Sequence, residues 1–315
     1  MFTIFYIKIK LNMKILIATF DHNYYLWQCL VQINNFMKYG YDEDTVYVIS
    51  TSDPSPALKA MMNCPKIKSK FFLYKDERQN HRYPSSLRPH ILEKFFNEHS
   101  EYEKEVLFYT DPDVIFTKKL DFTEMENDEA WHLSDTRSYI DSRYIKSKSE
   151  QLFKEMCDIV KVDPEEISAN DDNAGGAQYL IKGINAGFWK KCYDDMEKLY
   201  CHMKDTESVY HPEHPIQSWT ADMWAVYWNG IYFGHKVQID KVLDFSWATD
   251  AIHRWNETYI FHNAGIAGKS DTHFSKIEYQ SSPFNQDIKV SPDNCTFEYV
   301  REIRETEDNF KDVVW

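Results

Sequence analysis

The chain has no uninterrupted apolar run near the ~20 residues that a spanning helix needs, so no membrane span is expected. It is also short of positive charge. Lys plus Arg number 36 against 50 Asp plus Glu, a net charge of −14, which argues against the basic surface that generic DNA or RNA binding requires. The six cysteines, Cys29, Cys64, Cys157, Cys192, Cys201 and Cys295, contain no C-x-x-C pair and no zinc-ligand spacing. They read as reduced, mostly buried thiols of a cytoplasmic protein. There is no internal repeat, no low-complexity tract and no Gly/Ser/Pro linker, so a split into two domains is not expected. Residues 1–12 (MFTIFYIKIKLN) lack a charged n-region and a small-residue cleavage site. They read as an N-terminal extension or edge strand before a domain over 13–280, with 281–315 as a charged surface tail.

What is present is a foldable, aromatic-rich chain of 315 residues with 20 Phe, 21 Tyr and 9 Trp, far from the composition of a disordered acidic polymer. Short β-branched or aromatic runs at 14–19, 45–50, 70–74 and 106–109 alternate with helical spacing at 24–37, 55–63 and 87–99. This βαβ alternation predicts an α/β domain with a mostly parallel sheet flanked by helices. The second half reads as helices at 150–160, 184–200 and 216–227, an acidic loop at 163–172, and strands at 175–182 and 258–261.

In a parallel sheet, ligands bind beyond the carboxyl ends of the strands, and beyond Tyr109 comes Thr110-Asp111-Pro112-Asp113. A D-x-D is commonly only a turn or cap. Here it lies between the apolar runs EVLFY and VIF, where two charges need a counter-ion, so Asp111 and Asp113 read as ligands of a hard divalent ion. Far downstream, the strand-like YIF leads into His262, Asn263, Ala264, Gly265 and later Lys269. An imidazole at a strand exit can complete such a site, Gly265 permits close backbone approach to a phosphate, and Lys269 can neutralise it.

YTDPDVIF followed by FHNAGIAGK resembles a metal-dependent glycosyltransferase of the GT-A type. Tyr83-Pro84, Leu87-Arg88-Pro89, the NAGGAQY of 173–179 and the WTADMWA of 219–225 further resemble, in the same order, the plant and algal peptidyl hydroxyproline arabinosyltransferases and serine galactosyltransferases. Ala177 stands where that family usually has proline. The resemblance implies a GT-A (Rossmann-like) fold, Mn²⁺ or Mg²⁺ held by Asp111, Asp113 and His262, and a UDP-sugar donor. It further implies a hydroxylated or serine-containing protein as acceptor, and retention at the anomeric carbon.

The remaining candidate residues have readings of their own. Arg82 and Arg88 flank a helix start, a ready diphosphate or carboxylate site. In the segment from Asn173 to Gln178, Gly175 and Gly176 let the backbone approach a sugar while the two amides read hydroxyls. Asp222 shares a helix face with Trp219, where a carboxylate is costly unless paired or functional; it and Gln178 are the catalytic candidates, with a structural ion pair as the rival for Asp222. Asp135 ends another strand-like run, and His211 and His214 read as loop residues. The expected activity is therefore transfer of a sugar to a hydroxyl of a protein or glycan. A hydroxymethylated viral DNA acceptor is disfavoured by the net charge, and a metal-dependent nucleotide phosphohydrolase or a non-catalytic sugar-binding protein are the alternatives.

Overall fold

The computed structural model describes residues 13–266 and 272–315; the N-terminal extension 1–12 and Lys269 lie outside the described residues. The strands are β1 (Met13–Phe20), β2 (Thr45–Ser50), β3 (Lys70–Tyr74), β4 (Val106–Tyr109), β5 (Val114–Phe116), β6 (Trp131–Asp135), β7 (Gly175–Ile181), β8 (Val237–Ile239), β9 (Phe245–Trp247) and β10 (Ile260–His262). The helices are α1 (Asn23–Tyr39), α2 (Pro56–Asn63), α3 (Leu87–Glu98), α4 (Thr123–Asn127), α5 (Arg137–Ile140), α6 (Ser142–Lys148), α7 (Glu150–Val160), α8 (Pro164–Ala169), α9 (Ala186–Asp205), α10 (Ala221–Tyr232), α11 (His253–Glu257) and α12 (Thr296–Asn309).

Seven strands form one sheet in the order β3-β2-β1-β4-β7-β6-β8. Only β7 runs against its neighbours, β4 and β6; the other pairings are parallel. This is the mostly parallel, helix-flanked α/β sheet expected of a GT-A (Rossmann-like) domain. Its central strands read as nearly continuous apolar runs because both faces are covered. Ile15 and Ile17 of β1 enter one core with Trp27, Phe36 and Phe108, while Leu16 and Ala18 enter the other with Leu107, Trp131, Trp189 and Trp224. Fully burying each such side chain stabilises the fold by roughly 1.5–3 kcal/mol. A second, three-stranded sheet, β5-β10-β9, lies on the α1 side. The chain therefore changes sheets between Tyr109 and Val114, and the D-x-D occupies that crossover.

Three expectations need correction. The segment 163–172 is not a loop: Pro164 opens α8, Asp163 caps it by accepting from the Glu165 N–H at 2.9 Å, and Asp171–Asn173 form a 3₁₀ turn. The helix expected at 216–227 runs instead over α10, because residues 218–220 form a 3₁₀ turn in which the Thr220 hydroxyl donates to Gln217 O. The last residues are not only a surface tail. In α12, Tyr299 and Ile303 are fully buried in the α1-side core, and Lys38 of α1 pairs with Glu302 at 2.8 Å. No helix among the described residues is long and apolar enough to cross a membrane.

Candidate functional site

The crossover is held from three directions. Thr110 N–H donates to Leu16 O at 3.2 Å, continuing the sheet by one bond. Gln32 of α1, fully buried, donates through Nε2 to Asp111 O (2.9 Å) and Val114 O (2.8 Å), while its Oε1 accepts from the Tyr47 hydroxyl. From the small sheet, Asn263 N–H donates to Asp113 O at 2.9 Å, and His262 pairs with Val114 across the β5–β10 ladder. Backbone bonding thus brings residue 262 beside residues 111 and 113. One ligand atom each from Asp111, Asp113 and His262 lies within 4.8 Å of the others, and His262 Nε2 stands 3.5 Å from Asp113 Oδ1.

The proton on His262 follows from its neighbours. Ser134 Oγ lies 2.8 Å from Leu243 O and 2.7 Å from the Gln178 amide terminus, whose other end is 2.9 Å from His262 Nδ1. The serine has one proton, and the Leu243 carbonyl can only accept. The amide is placed with Oε1 toward Ser134 and Nε2 toward Nδ1, which leaves the one serine proton shared between two acceptors; with the amide turned over, the serine proton goes to Leu243, Oγ accepts from the Gln178 NH₂, and the amide oxygen accepts from Nδ1–H. This orientation leaves no two acceptors facing each other from Leu243 to Nδ1 and turns the Nε2 lone pair toward Asp113 Oδ1, a pair of acceptors that a cation between them would satisfy, as second-shell partners of ligating histidines do. The Trp247 ring stacks on the imidazole at 5.8 Å and 12°. Two carboxylates and an imidazole lone pair converging in this way suit a hard or borderline divalent cation such as Mg²⁺ or Mn²⁺.

Positive charge is already near. Arg88, in the first turn of α3, bridges Asp111 and Asp222, the latter in the first turn of α10. The start of α3 is fixed by Glu197 of α9, which accepts from the Arg82 and Tyr83 N–H groups and the Ser86 hydroxyl. The Tyr83 hydroxyl lies between Trp219 O and Asp222 Oδ1, 3.1 Å from the latter. Burial pushes the Asp222 carboxyl above its ordinary value, with Asp111 adding to the shift and Arg88 opposing it. On Arg88 itself the two carboxylates outweigh burial and hold the charge firmly. Asp113 goes the other way: burial would raise it, but the Lys276 ammonium holds it well below the usual carboxylate range.

These charged groups separate two adjoining cavities. One, of about 210 Å³, is lined by Tyr109, Tyr139, Ala177, Tyr179, Met223, Val226, Trp247, His262, Ala264 and Gly265. The other, of about 230 Å³, lies against the end of β1 and the start of α1, with Thr19, Phe20, Tyr25 and Gln28. Arg88, Asp111, Asp113, Trp219, Asp222 and Lys276 line both.

Arg88, Asp111, Asp113, Asp222, His262 and Gly265 all line the first of these cavities. Gln178 is adjacent but acts on His262 rather than lining a cavity. Arg82 is not brought there: its guanidinium is half exposed and pairs with Asp205, because residue 82 precedes the turn that aims Arg88 inward. Asn173 lines a different cavity with His235 and Gln238. Gly175 and Gly176 serve packing, since a Cβ on them would meet Ser134 O at 2.6 Å and the Met223 side chain at 2.6 Å. Asp135 is held by Arg137 at 2.7 Å, away from both cavities. The unforeseen residues are Lys276, in a stretch with no motif, and Ser134, whose hydroxyl at the end of a buried strand is the only hint in the sequence. Ala177 carries a left-handed backbone (φ 66°), costly by ~1–2 kcal/mol for a residue with a Cβ. It falls in a break of the β6–β7 register: Leu133 pairs with Tyr179 but Ser134 with Gly176, so Ala177 and Gln178 bulge out of the ladder.

No family model matches the chain, and no curated protein matches it. The likeness to the plant transferases thus stays on the motifs alone. Solved structures that match include a WbbM bifunctional glycosyltransferase in its apo form (TM-score 0.48, 10% identity, 97% of this chain and 52% of that one). Two others are a galactosyltransferase, LgtC, with donor and acceptor sugar analogs (0.46, 13%, 96% and 100%), and the glycosyltransferase GlyE of Streptococcus pneumoniae TIGR4 (0.43, 12%, 96% and 65%). The chain spans about half the length of WbbM. All of these scores lie below 0.5, so the functional reading below stands on the site's own residues.

Proposed function

We propose that this protein is a metal-dependent glycosyltransferase that moves a sugar from a UDP-sugar to a hydroxyl of a protein or glycan. The observation that carries the reading is the convergence of Asp111, Asp113 and the Nε2 lone pair of His262 beside two adjoining cavities. Asp111, Asp113 and His262 would hold Mn²⁺ or Mg²⁺. When bound, the ion supplies Lewis-acid stabilisation of the departing diphosphate. Gln178 keeps His262 in the ligating tautomer. Arg88, clamped at the junction of the cavities, offers fixed positive charge to the phosphates at little reorganisation cost.

The nucleoside takes the cavity at the end of β1, where Tyr25 and Phe20 offer stacked rings 5.1 Å apart. The sugar takes the other, bounded by Tyr109, Tyr179 and Ala177. Asp222, which faces both, hydrogen-bonds a sugar hydroxyl or senses positive charge developing at the anomeric carbon. Trp219, 60% exposed at the mouth while Trp224 and Trp228 of α10 are buried, offers an apolar face for the acceptor.

A thermal-shift panel of nucleotide sugars with and without Mn²⁺ tests the donor, and donor turnover with and without candidate acceptors tests the reaction. A Mn²⁺-dependent rise in melting temperature with a UDP-sugar, and turnover that requires an acceptor hydroxyl, are expected. Release of phosphate or sugar that no acceptor accelerates would make the protein a phosphohydrolase. Absence of any nucleotide response would overturn the reading.

A further inference from the structure

Asp113 is only 4% exposed, and a carboxylate so buried needs positive charge beside it. Lys276 supplies it from a stretch that no motif marks, its ammonium bonded to Oδ2 and its side chain 14% exposed. The backbone under that lysine is anchored. Lys276 opens the 3₁₀ turn Lys276–Glu278, and Trp27 Nε1 of α1 donates to Tyr279 O at 3.0 Å. The Tyr279 ring stacks on Phe274 at 4.9 Å. The side chain is less constrained. It passes over Gly265, where a Cβ would meet Lys276 Cε at 3.8 Å, and its tip lies on the wall common to both cavities. Arg88 must give up two carboxylates to move, whereas Lys276 gives up one.

The charge balance points the same way. Asp111, Asp113 and Asp222 set three negative charges against the two positive charges of Arg88 and Lys276, leaving one negative charge over. A divalent cation added to that set turns the balance to one positive charge, which draws an anionic ligand.

We propose that Lys276 is a resident counter-ion of Asp113 which the divalent cation displaces, and that the freed ammonium then pairs with a phosphate of the donor. Metal entry exchanges one cation for another at Asp113, so the site pays no cost for an unpaired buried carboxylate at either stage. The proposal rests on Asp111, Asp113 and His262 being cation ligands, but not on sugar transfer.

Calorimetric titration of Mn²⁺ into the nucleotide-free protein tests it, comparing wild type with Lys276→Met. Removing the competitor should tighten Mn²⁺ binding roughly tenfold or more, and the same variant under saturating Mn²⁺ should bind UDP about tenfold more weakly, the scale of one charged hydrogen bond. On the wild type, which avoids any folding defect of the variant, acetylation of Lys276 read by mass spectrometry should rise when Mn²⁺ alone is added. Equal or weaker Mn²⁺ affinity in folded Lys276→Met, or acetylation that ignores Mn²⁺, overturns the exchange. Failure of both proteins to bind Mn²⁺ overturns the exchange and the metal site together. Failure of sugar transfer with Mn²⁺ binding as expected sinks only the transferase reading.

Discussion

Asp111 and Asp113 stand one residue apart on the same crossover, yet they are held by different kinds of partner. Asp111 keeps 31% of its side chain exposed and is gripped by Arg88, which also holds Asp222. Asp113 is buried, paired with a lysine able to let go of it, and stands 3.5 Å from the Nε2 of an imidazole. A planar guanidinium shared between two carboxylates ties α3 and α10 to the crossover and sets the shape of the partition. A single ammonium on a four-carbon stem sets only charge. The Asp111 side is thus a framework, and the Asp113 side is where exchange with an ion takes place.

Removing Asp113 should have the largest consequence for chemistry and little for folding. Asp113→Ala is expected to lower Mn²⁺-dependent turnover by ~10³-fold, the upper range for loss of a preorganised electrostatic group, while Lys276 relaxes toward solvent and the melting curve stays native. Wild-type turnover in a natively melting variant would remove Asp113 from the chemistry. Arg88→Ala should show the reverse emphasis. It leaves Asp111 and Asp222 facing each other without a cation, so a loss of about 3 kcal/mol is expected, low in the range for breaking a buried pair because Asp111 is partly solvated. Calorimetric unfolding should register this as a drop of roughly 4–5 °C. A drop no larger than that of Asp113→Ala would erase the distinction between the two sides.

Gln178→Leu probes the ligand side through its support. Loss of a second-shell partner costs about 10–100-fold in metal affinity, so Mn²⁺ titration should weaken by that factor while Asp113 and Lys276 remain paired. Unaltered Mn²⁺ affinity would mean that His262 needs no help from the Ser134–Gln178 relay. Asp222→Asn keeps the shape of the framework but removes one charge. UDP affinity should hold while turnover falls about tenfold, because an interaction made mainly in the transition state is lost from the rate. Equal loss in UDP affinity and turnover would assign Asp222 to the framework alone.

The first half of the fold was readable because its strands are short apolar runs separated by capped helices, as in Ser55-Pro56 before α2. The D-x-D and His262 were readable for the same reason, each standing at the exit of an apolar run. Lys276 was not: its position depends on the 3₁₀ turn that Trp27 anchors through Tyr279 O, and nothing local marks it. Gln178 was found for the wrong task, since the bulge that turns it under His262 depends on β6. Arg82 and Arg88 look alike in sequence, and only the turn held by Glu197 separates an outward from an inward guanidinium. The closing helix α12 hides behind its charges, although Tyr299 and Ile303, four residues apart, form one turn of an apolar face.

The bulge in β7 also bears on which changes of length the chain can tolerate. Because two residues leave the ladder rather than one, every side chain on either side of them keeps its face of the sheet. Deleting Ala177 and Gln178 together would close the strand into an uninterrupted pairing with β6, relieve the left-handed backbone, and remove the cavity wall and the support of His262 in one step. A protein so shortened is expected to melt near the parent's temperature and to bind Mn²⁺ about 10–100-fold more weakly, whereas deletion of either residue alone leaves one extra residue to be held as a bulge or a register slip and should lower the melting temperature more. The support of His262 is in this sense an insertion of two residues into a strand.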